Sequence, residues 1–543
     1  MMLKAPAGSP AGFTVFTGED MKHITLRELL VKLPEAEIHG DTATTINFLT
    51  CDSRSVRPGA LFFALRGWQS DGHTYIEKAI EAGAAAVILE DEASAPTGTP
   101  WVRVPDGRAA MGRMAARFNG EPTATKPLIG ITGTNGKTTT TYLIEAILEA
   151  AGHHAAVLGT ISYRFGTTII QASHTTPEST ELQSALRQLA EAGADAFVME
   201  VSSHALEQKR VDGCYFDVGI FSNLTRDHLD YHLTMENYRE AKCRLFSDLL
   251  QPSPEKPQRR AAINMDDPSG EEIARRCSCP VITFGIQGQR DVRPTDIASS
   301  VDGISATLIT PAGSFKFASR LLGRFNLSNI LAAAAAGVAL DLPLDAIKYG
   351  IENHSTVPGR MERVANRSGV TCLVDYAHTG DALENVLATL KEISTGRIIT
   401  LFGCGGDRDN GKRPIMGRIA VTKSDLAIVT SDNPRTEDPL SIMEQIKAGI
   451  TSIAPLPVGE DRGTSETHRE YQPNQLTDGF TERGFVLVEN RREAIRLAIS
   501  LAHPGDIVLL AGKGHEDYQI IGTVKHHFDD REEAAAAFAE NMA

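Results

Sequence analysis

Basic charge is what this sequence most clearly lacks. Against 69 Asp and Glu it sets only 54 Lys and Arg, a formal net charge of −15 at pH 7. A general nucleic-acid binder needs a positive field to collect phosphates, so that class is disfavoured; a local pocket can still hold an anionic small molecule. Long apolar runs are also missing. None approaches the roughly 18 residues that span a bilayer, and MMLKAPAGSPAGFTVF at the N-terminus has no continuous apolar stretch of a secretory signal. Cysteine is sparse and scattered, at 51, 214, 243, 277, 279, 372 and 404. The odd count and irregular spacing argue against a disulfide framework. Cys277 and Cys279, with no second pair or nearby His, are poor evidence for zinc. The expectation is a reduced, cytoplasmic setting, with neither membrane nor nucleic acid as partner.

What is present is ordinary globular composition, 42% hydrophobic and 23% charged, in a chain of 543 residues, long enough for several domains. Short apolar runs (ALFFAL, AAAVILE) alternate with the helix-like IEKAIEAG, which predicts a small α/β domain over residues 1–125, closed by the linker-like EPTATKP. From 126 to 354 the strand PLIGIT, the turn GTNG and a helix with apolar Leu143, Ile144, Ile147 and Leu148 open a second unit. Strands are predicted at DAFVMEV, DVGIFSN and RAAIN, and an Ala-rich helix at SNILAAAAAGVAL. After the break STVPGRME a third unit, 355–543, has strands at TCLVDY, RIITLFG, LAIVT, FVLVE and DIVLLAG. The expected fold is α/β in three domains: a small N-terminal α/β domain, a central doubly wound phosphate-loop domain and a C-terminal Rossmann-like domain. The polar segment 454–484 reads as a long surface insertion or flexible loop.

The strongest chemistry lies in strand–GTNGKTT–helix. Gly133 and Gly136 let backbone N–H groups close around phosphate oxygens, with Thr134 and Asn135 between them. Lys137 supplies a cation, and the helix N-terminus adds partial positive charge. Thr138 can offer its hydroxyl to Mg²⁺, and Thr139 follows it. The longer common pattern would put glycine where Ile131 stands, so this is a shortened loop. A tight turn that merely joins strand to helix is the alternative, at odds with the Lys-Thr pair.

Glu200, at the C-terminal edge of DAFVMEV, either completes a Mg²⁺ site with Thr138 or caps the next turn, and position alone does not choose. In SNLTRDHLDYH, His228 sits between Asp227 and Asp230, whereas His232 reads as a surface or satisfied core residue. Spacing within YREAKCRLF reads Lys242 as a solvated helix residue beside an apolar flank.

Taken in order, GTNGKTT, HTTPES, MEVSSHAL, NLTRDHLDYH, AKCRLF and GRFNLSN resemble the Mur ligase family, which builds the peptide stem of bacterial peptidoglycan. The likeness runs from CDSR at 51–54 to GKGHE at 512–516. It is greatest to members that add a diamino acid, the third residue, to UDP-N-acetylmuramoyl-L-alanyl-D-glutamate. The resemblance implies that ATP lies on residues 133–139 with Asn326 and Asn329, and that Lys137, Glu200, His228 and Lys242 are catalytic. Lys242 falls on the lysine the family carbamylates, so Thr138, Glu200, His228 and the Lys242 carbamate would hold Mg²⁺. Ser53, Trp68, Gln69, Ser70, Thr175, Thr176, Ser202, Gln208 and Arg210 are implied for the UDP-sugar dipeptide. Asp432, Asn433, Pro434 and Arg435 resemble the signature for meso-diaminopimelate, and Arg408, Gly512 and Glu516 match further amino-acid contacts. Physically, Arg435 can grip through a bidentate pair the extra carboxylate that lysine lacks. Read alone, DNPR is a Pro-containing turn.

The implied reaction is ATP-driven amide formation through an acyl phosphate, by a monomer. A lysine-adding ligase is the nearest alternative. A folylpolyglutamate-synthase-like ligase has no need of CDSR and GWQSDG, and a nucleotide-hydrolysing switch has none of DNPR and GKGHE. One departure stands out: DYAHTGDAL has Gly380 where relatives commonly carry proline, which is expected to loosen the loop near Tyr376 and His378.

Overall fold

A computed structural model describes residues 24–67, 70–172, 174–354, 356–451, 468–476 and 479–541. Trp68, Gln69 and part of the 454–484 segment lie outside them. The described residues form two compact units. The first takes the chain up to Pro122 with Glu178–Arg187 and Lys209–Gly213; the second takes Thr123–Pro177, Gln188–Gln208 and the chain from Cys214 onward.

The first unit is built on a five-stranded sheet whose two best-buried strands, Ala60–Phe63 and Ala84–Leu89, are the apolar runs seen in the sequence. Consecutive apolar residues place side chains on both faces, and each face has its own core. Leu61, Phe63 and Ile88 pack with Met111 and Met114 of helix Gly107–Phe118; Phe62, Val87 and Leu89 pack with Ile76 and Ala79 of helix Ile76–Glu81.

The second unit contains two large sheets. One, of eight strands, is parallel through its middle, with strand Leu128–Thr132 between Ala196–Glu200 and Val218–Phe221. Helix Lys137–Ala150 buries Leu143, Ile144, Ile147 and Leu148 against it, beside the Ala-rich helix Arg324–Ala339. Alanines let that helix sit close, so nearly all of its length is buried. A three-stranded antiparallel sheet, Arg293–Ser300 with Gly303–Thr310 and Gly313–Ser319, extends the same core and was not foreseen from the sequence.

The other large sheet, of seven strands, orders Thr371–Asp375, Ile507–Ala511, Ile398–Phe402, Leu426–Val429 and Gly484–Leu487 in parallel. Cores lie on both its faces. The crossovers skip sequence neighbours, as a doubly wound sheet requires, so the loops after Phe402, Val429 and Ala511 emerge at one edge. The segment read as a loop over 454–484 is partly regular: Arg469–Tyr471 forms an edge strand paired with Gly484–Leu487. Tyr471 anchors it by burying its ring. No helix among the described residues is long and apolar enough to cross a membrane, and no disulfide is formed among them.

Candidate active site

Strand Leu128–Thr132 is fully buried and delivers the chain to Gly133. Gly136 then adopts φ +89°, a left-handed conformation, and a Cβ there would collide with Asn329 Oδ1. That asparagine is held by Asn326, whose Oδ1 accepts from Asn329 Nδ2 at 3.0 Å; both are buried on helix Arg324–Ala339. The loop is braced from the neighbouring strand as well. Asn135 N donates to Asn223 Oδ1 at 2.8 Å, and Asn223 Nδ2 donates back to Asn135 O at 3.0 Å. Lys137 Nζ donates to the carbonyls of Gly133 and Thr134 at 2.9 and 2.8 Å. Burial lowers the lysine's pKa, while Glu200 and Asp227 oppose the shift.

Glu200 does not cap the following turn. Its Oε1 accepts from Thr138 Oγ1 and from Thr160 N, each at 3.0 Å, and its Oε2 accepts from Thr160 Oγ1 at 3.0 Å. The cap belongs to Ser202, which accepts from Ala205 N at 3.2 Å. Thr176 ties the segment down, donating to Glu200 O at 2.8 Å, and Thr175 meets Thr160 hydroxyl to hydroxyl at 3.1 Å. A buried carboxylate beside a threonine hydroxyl at a helix N-terminus is an oxygen donor set that suits Mg²⁺.

Lys242 overturns the solvated reading: helix Met235–Ser247 buries it to 1% exposure. Its Nζ lies 4.4 Å from the Tyr238 ring centroid, and among the described residues no carboxylate forms an ion pair with it. Burial, reinforced by Lys137, puts its pKa well below the ordinary lysine value. Burial of this kind favours the uncharged, nucleophilic form of the amine over the ammonium. As an amine it brings no oxygen to a metal.

His228 has φ +53° and a lowered pKa, from burial first, with Asp227 opposing. Its ring meets His204 edge-on at 4.9 Å. His232 is the satisfied core residue: it is buried, sits 2.9 Å from Ser203 Oγ, and has its pKa pushed down to about 4, mainly by burial. Tyr238 links this group to the phosphate loop through Thr134 Oγ1, 3.2 Å from its hydroxyl.

Residues of the seven-stranded region reach the same loop. Arg360 Nη2 donates to Thr138 Oγ1 at 3.5 Å, with its guanidinium 4.9 Å from the Tyr376 ring centroid. Asp381 Oδ2 accepts from Asn135 Nδ2 at 3.3 Å and from Thr225 Oγ1 at 3.1 Å. Neither residue was singled out from sequence. Arg360 hid in a segment read only as a break, and Thr160 carries no local signal at all.

Three loops at the edge of that sheet bring the remaining candidates together. Asn433 Nδ2 donates to Glu516 Oε2 at 2.9 Å, while its Oδ1 accepts from Ile520 N at 2.9 Å and Lys513 Nζ at 3.4 Å. Gly512, at φ +113°, lets the chain pass Asp432, where a Cβ would stand 2.7 Å from Oδ2. Burial raises the Glu516 pKa, and the neighbouring Asp432 raises it further. The buried Lys513 ammonium, 3.5 Å from Glu516 Oε2, opposes that rise, so the loop pair already attracts one cation. Arg435, at φ +51°, donates from Nη1 to Gly406 O at 2.6 Å; Arg408 is exposed on the loop that contains Gly406. Pro434 is buried.

For the dipeptide candidates, the first unit contains Ser53, Ser70 and Arg210, whose Nε pairs with Glu178 Oε1 at 3.0 Å. Thr175, Thr176, Ser202 and Gln208 belong to the second, where Gln208 Nε2 donates to the Tyr231 hydroxyl at 3.1 Å.

Comparison with known proteins identifies the family. The sequence matches the family descriptions "Mur ligase middle domain" over 131–337, "Mur ligase, glutamate ligase domain" over 359–514 and "Mur ligase family, catalytic domain" over 45–119. It is 60% identical over 515 residues to the UDP-N-acetylmuramoyl-L-alanyl-D-glutamate–2,6-diaminopimelate ligase of Geobacter metallireducens, covering 95% of this chain and 98% of that one. The ligase of the same name from Geobacillus thermodenitrificans is 43% identical, covering 95% and 99%. A solved structure of a ligase of that name superposes with a TM-score of 0.68 at 34% identity, covering 96% of this chain and all of the other. A MurF ligase from Thermotoga maritima in complex with ADP shares the fold, with a TM-score of 0.55 at 18% identity, covering 91% and 98%. Family models over most of the chain and relatives of high identity agree: the chain belongs to the Mur ligase family.

Proposed function

We propose that this protein joins meso-2,6-diaminopimelate to the D-glutamate of UDP-N-acetylmuramoyl-L-alanyl-D-glutamate, using ATP, in the synthesis of peptidoglycan precursors. The observation that carries the choice of amine is the pocket of Asp432, Asn433, Arg435 and Glu516: an acid pair for an ammonium beside a guanidinium for a carboxylate. Lysine offers the ammonium without the distal carboxylate, so it would give the Arg435 guanidinium no carboxylate to pair with.

The γ-carboxylate of the D-glutamyl residue attacks the γ-phosphorus of ATP; the bond to the bridging oxygen breaks and ADP leaves. The amine then attacks the acyl carbon, the tetrahedral intermediate expels phosphate, and the amine gives up a proton. Residues 133–139 cradle the phosphates, and Lys137 turns from the loop carbonyls to the transferring group. Asn326 and Asn329 hold the loop from beneath the nucleotide. Mg²⁺ bound by Thr138 and Glu200, and by His228 with a carbamylated Lys242, would neutralise charge on that phosphoryl group. The buried Lys242 amine, whose surroundings disfavour the ammonium form, is suited to add to carbon dioxide, forming an N–C bond and losing a proton to become an anion. Arg360, against Thr138, adds a second cation at the same place. We assign the dipeptide substrate to Ser53, Trp68, Gln69, Ser70, Thr175, Thr176, Ser202, Gln208 and Arg210, and place the protein in the cytoplasm as a monomer. Domains at 1–125, 126–354 and 355–543 fit this division of labour.

The test is phosphate release from the purified protein with ATP and the UDP-muramoyl dipeptide, offering meso-diaminopimelate or L-lysine in turn. Release that depends on diaminopimelate is expected. Equal rates with both amines would overturn the amine assignment, and release independent of any amine would overturn the ligase reading.

A further inference from the structure

The two loops that carry Arg408 and Arg435 leave different strands, Ile398–Phe402 and Leu426–Val429. One buried guanidinium joins them. Arg413, in the first turn of helix Lys412–Lys423, has no solvent exposure. It forks onto Glu437: Nη1 donates to Oε2 and Nη2 to Oε1, each at 2.9 Å. The same group donates from Nη2 to Gly405 O at 3.2 Å and from Nη1 to Gln445 Oε1 at 2.8 Å. Glu437 also accepts from Asp407 N, on the Arg408 loop. Around this clamp the loops are zipped together. Gly406 N donates to Asn433 O at 2.9 Å, and Thr436 Oγ1 donates to Asp407 Oδ1 at 2.8 Å.

Desolvating the buried Arg413 guanidinium offsets much of its attraction to the partly exposed Glu437, so the pair gains little stability. What a bidentate fork supplies is direction and fixed spacing. Here the fixed spacing is between the loop of Arg408 and the loop of Arg435, and the pair itself contacts neither the phosphate loop nor Lys242.

We propose that Arg413 and Glu437 are positioning residues for the amine substrate, their ion pair setting the separation of Arg408 and Arg435 and so the grip on the amine's carboxylates. This rests on the diaminopimelate reading above. The clamp acts before chemistry: it holds two binding loops in one arrangement, so its loss weakens capture of the amine and leaves the nucleotide and the acceptor untouched. Lysine at 413 keeps the charge and loses the fork, so it does not substitute.

The experiment measures phosphate release by the full chain and by Glu437→Gln, Glu437→Ala and Arg413→Lys, with circular dichroism to establish folding. The KM for meso-diaminopimelate is expected to rise on the order of tenfold to a hundredfold, less in Glu437→Gln than in Glu437→Ala. The KM values for ATP and for the UDP-muramoyl dipeptide should stay within about twofold, and kcat should be largely kept. Should Arg413→Lys fail to fold, the two Glu437 variants decide, since that side chain is partly exposed. An unchanged amine KM in folded variants, or three KM values rising together, overturns the proposal. A wild-type protein that ignores diaminopimelate contradicts the parent reading instead, and the clamp is then judged by the same comparison with whichever amine it accepts.

Discussion

Thr138 Oγ1 donates to Glu200 Oε1 at 3.0 Å, joining the first turn of the phosphate-loop helix to the end of the adjacent parallel strand. The contact holds the Glu200 carboxylate close to the loop that would carry the phosphates. Replacing Glu200 by Gln keeps its shape and two of its hydrogen-bond partners but removes the charge. The expected result is a fall in kcat of about 10²–10³-fold with an unchanged circular dichroism spectrum, as for loss of one charge-stabilising group. Activity within a few fold of wild type would return Glu200 to a structural role.

Lys242 gives a second prediction. Lys242→Ala should abolish most phosphate release, and a short carboxylic acid added to the assay should restore part of it by supplying the missing anion. The unmodified amine, buried over Tyr238, has no such charge to offer. Full activity in the variant, or failure of every small acid to rescue an inactive but folded variant, would argue against the carbamate.

Arg435 is the third. Arg435→Leu should raise the KM for meso-diaminopimelate by roughly 10²-fold or more, because a buried carboxylate loses its partner, and should change L-lysine use far less. An equal effect on both amines would mean that Arg435 shapes the loop through its bond to Gly406 rather than reading the substrate.

Much of this was legible beforehand, and for physical reasons. The apolar strands and the glycine loop are local signals: consecutive buried residues and a left-handed turn leave marks within a few positions. Lys242 was misread because one residue's spacing says nothing about which neighbours cover it. Thr160, Arg360 and Asp381 were missed for a related reason; each meets the phosphate-loop region only after the chain has crossed a sheet. Gly380 illustrates the converse. It was expected to loosen its loop, yet it opens helix Gly380–Ile393, capped by Thr379 accepting from Ala382 N at 3.3 Å, and it packs near Ile415. Proline is favoured at such a first helical position, but a Cβ at 380 would stand 2.9 Å from Ile415 Cγ2, room that glycine leaves free.

Stability should depend on pH in a definite direction. His232, His354 and His515 each have their pKa pushed down to about 4, chiefly by burial. In the unfolded chain they would titrate near the ordinary value of about 6.5. Between these values the unfolded state binds more protons, so stability is full above about 6.5 and declines as pH falls toward 4. Denaturant midpoints measured across that range should drop with pH, and His232→Phe should make the slope shallower. A flat profile would show that these rings stay accessible to protons in the folded state.

The central claim is that the phosphate loop passes a γ-phosphoryl group to the D-glutamyl carboxylate. It is tested most directly by labelling that carboxylate with heavy oxygen and analysing the phosphate released during amide formation by mass spectrometry. An acyl phosphate intermediate predicts one labelled oxygen in each phosphate, because the acyl carbon gives up the oxygen that attacked phosphorus. Unlabelled phosphate, accompanied by amide product, would contradict the account.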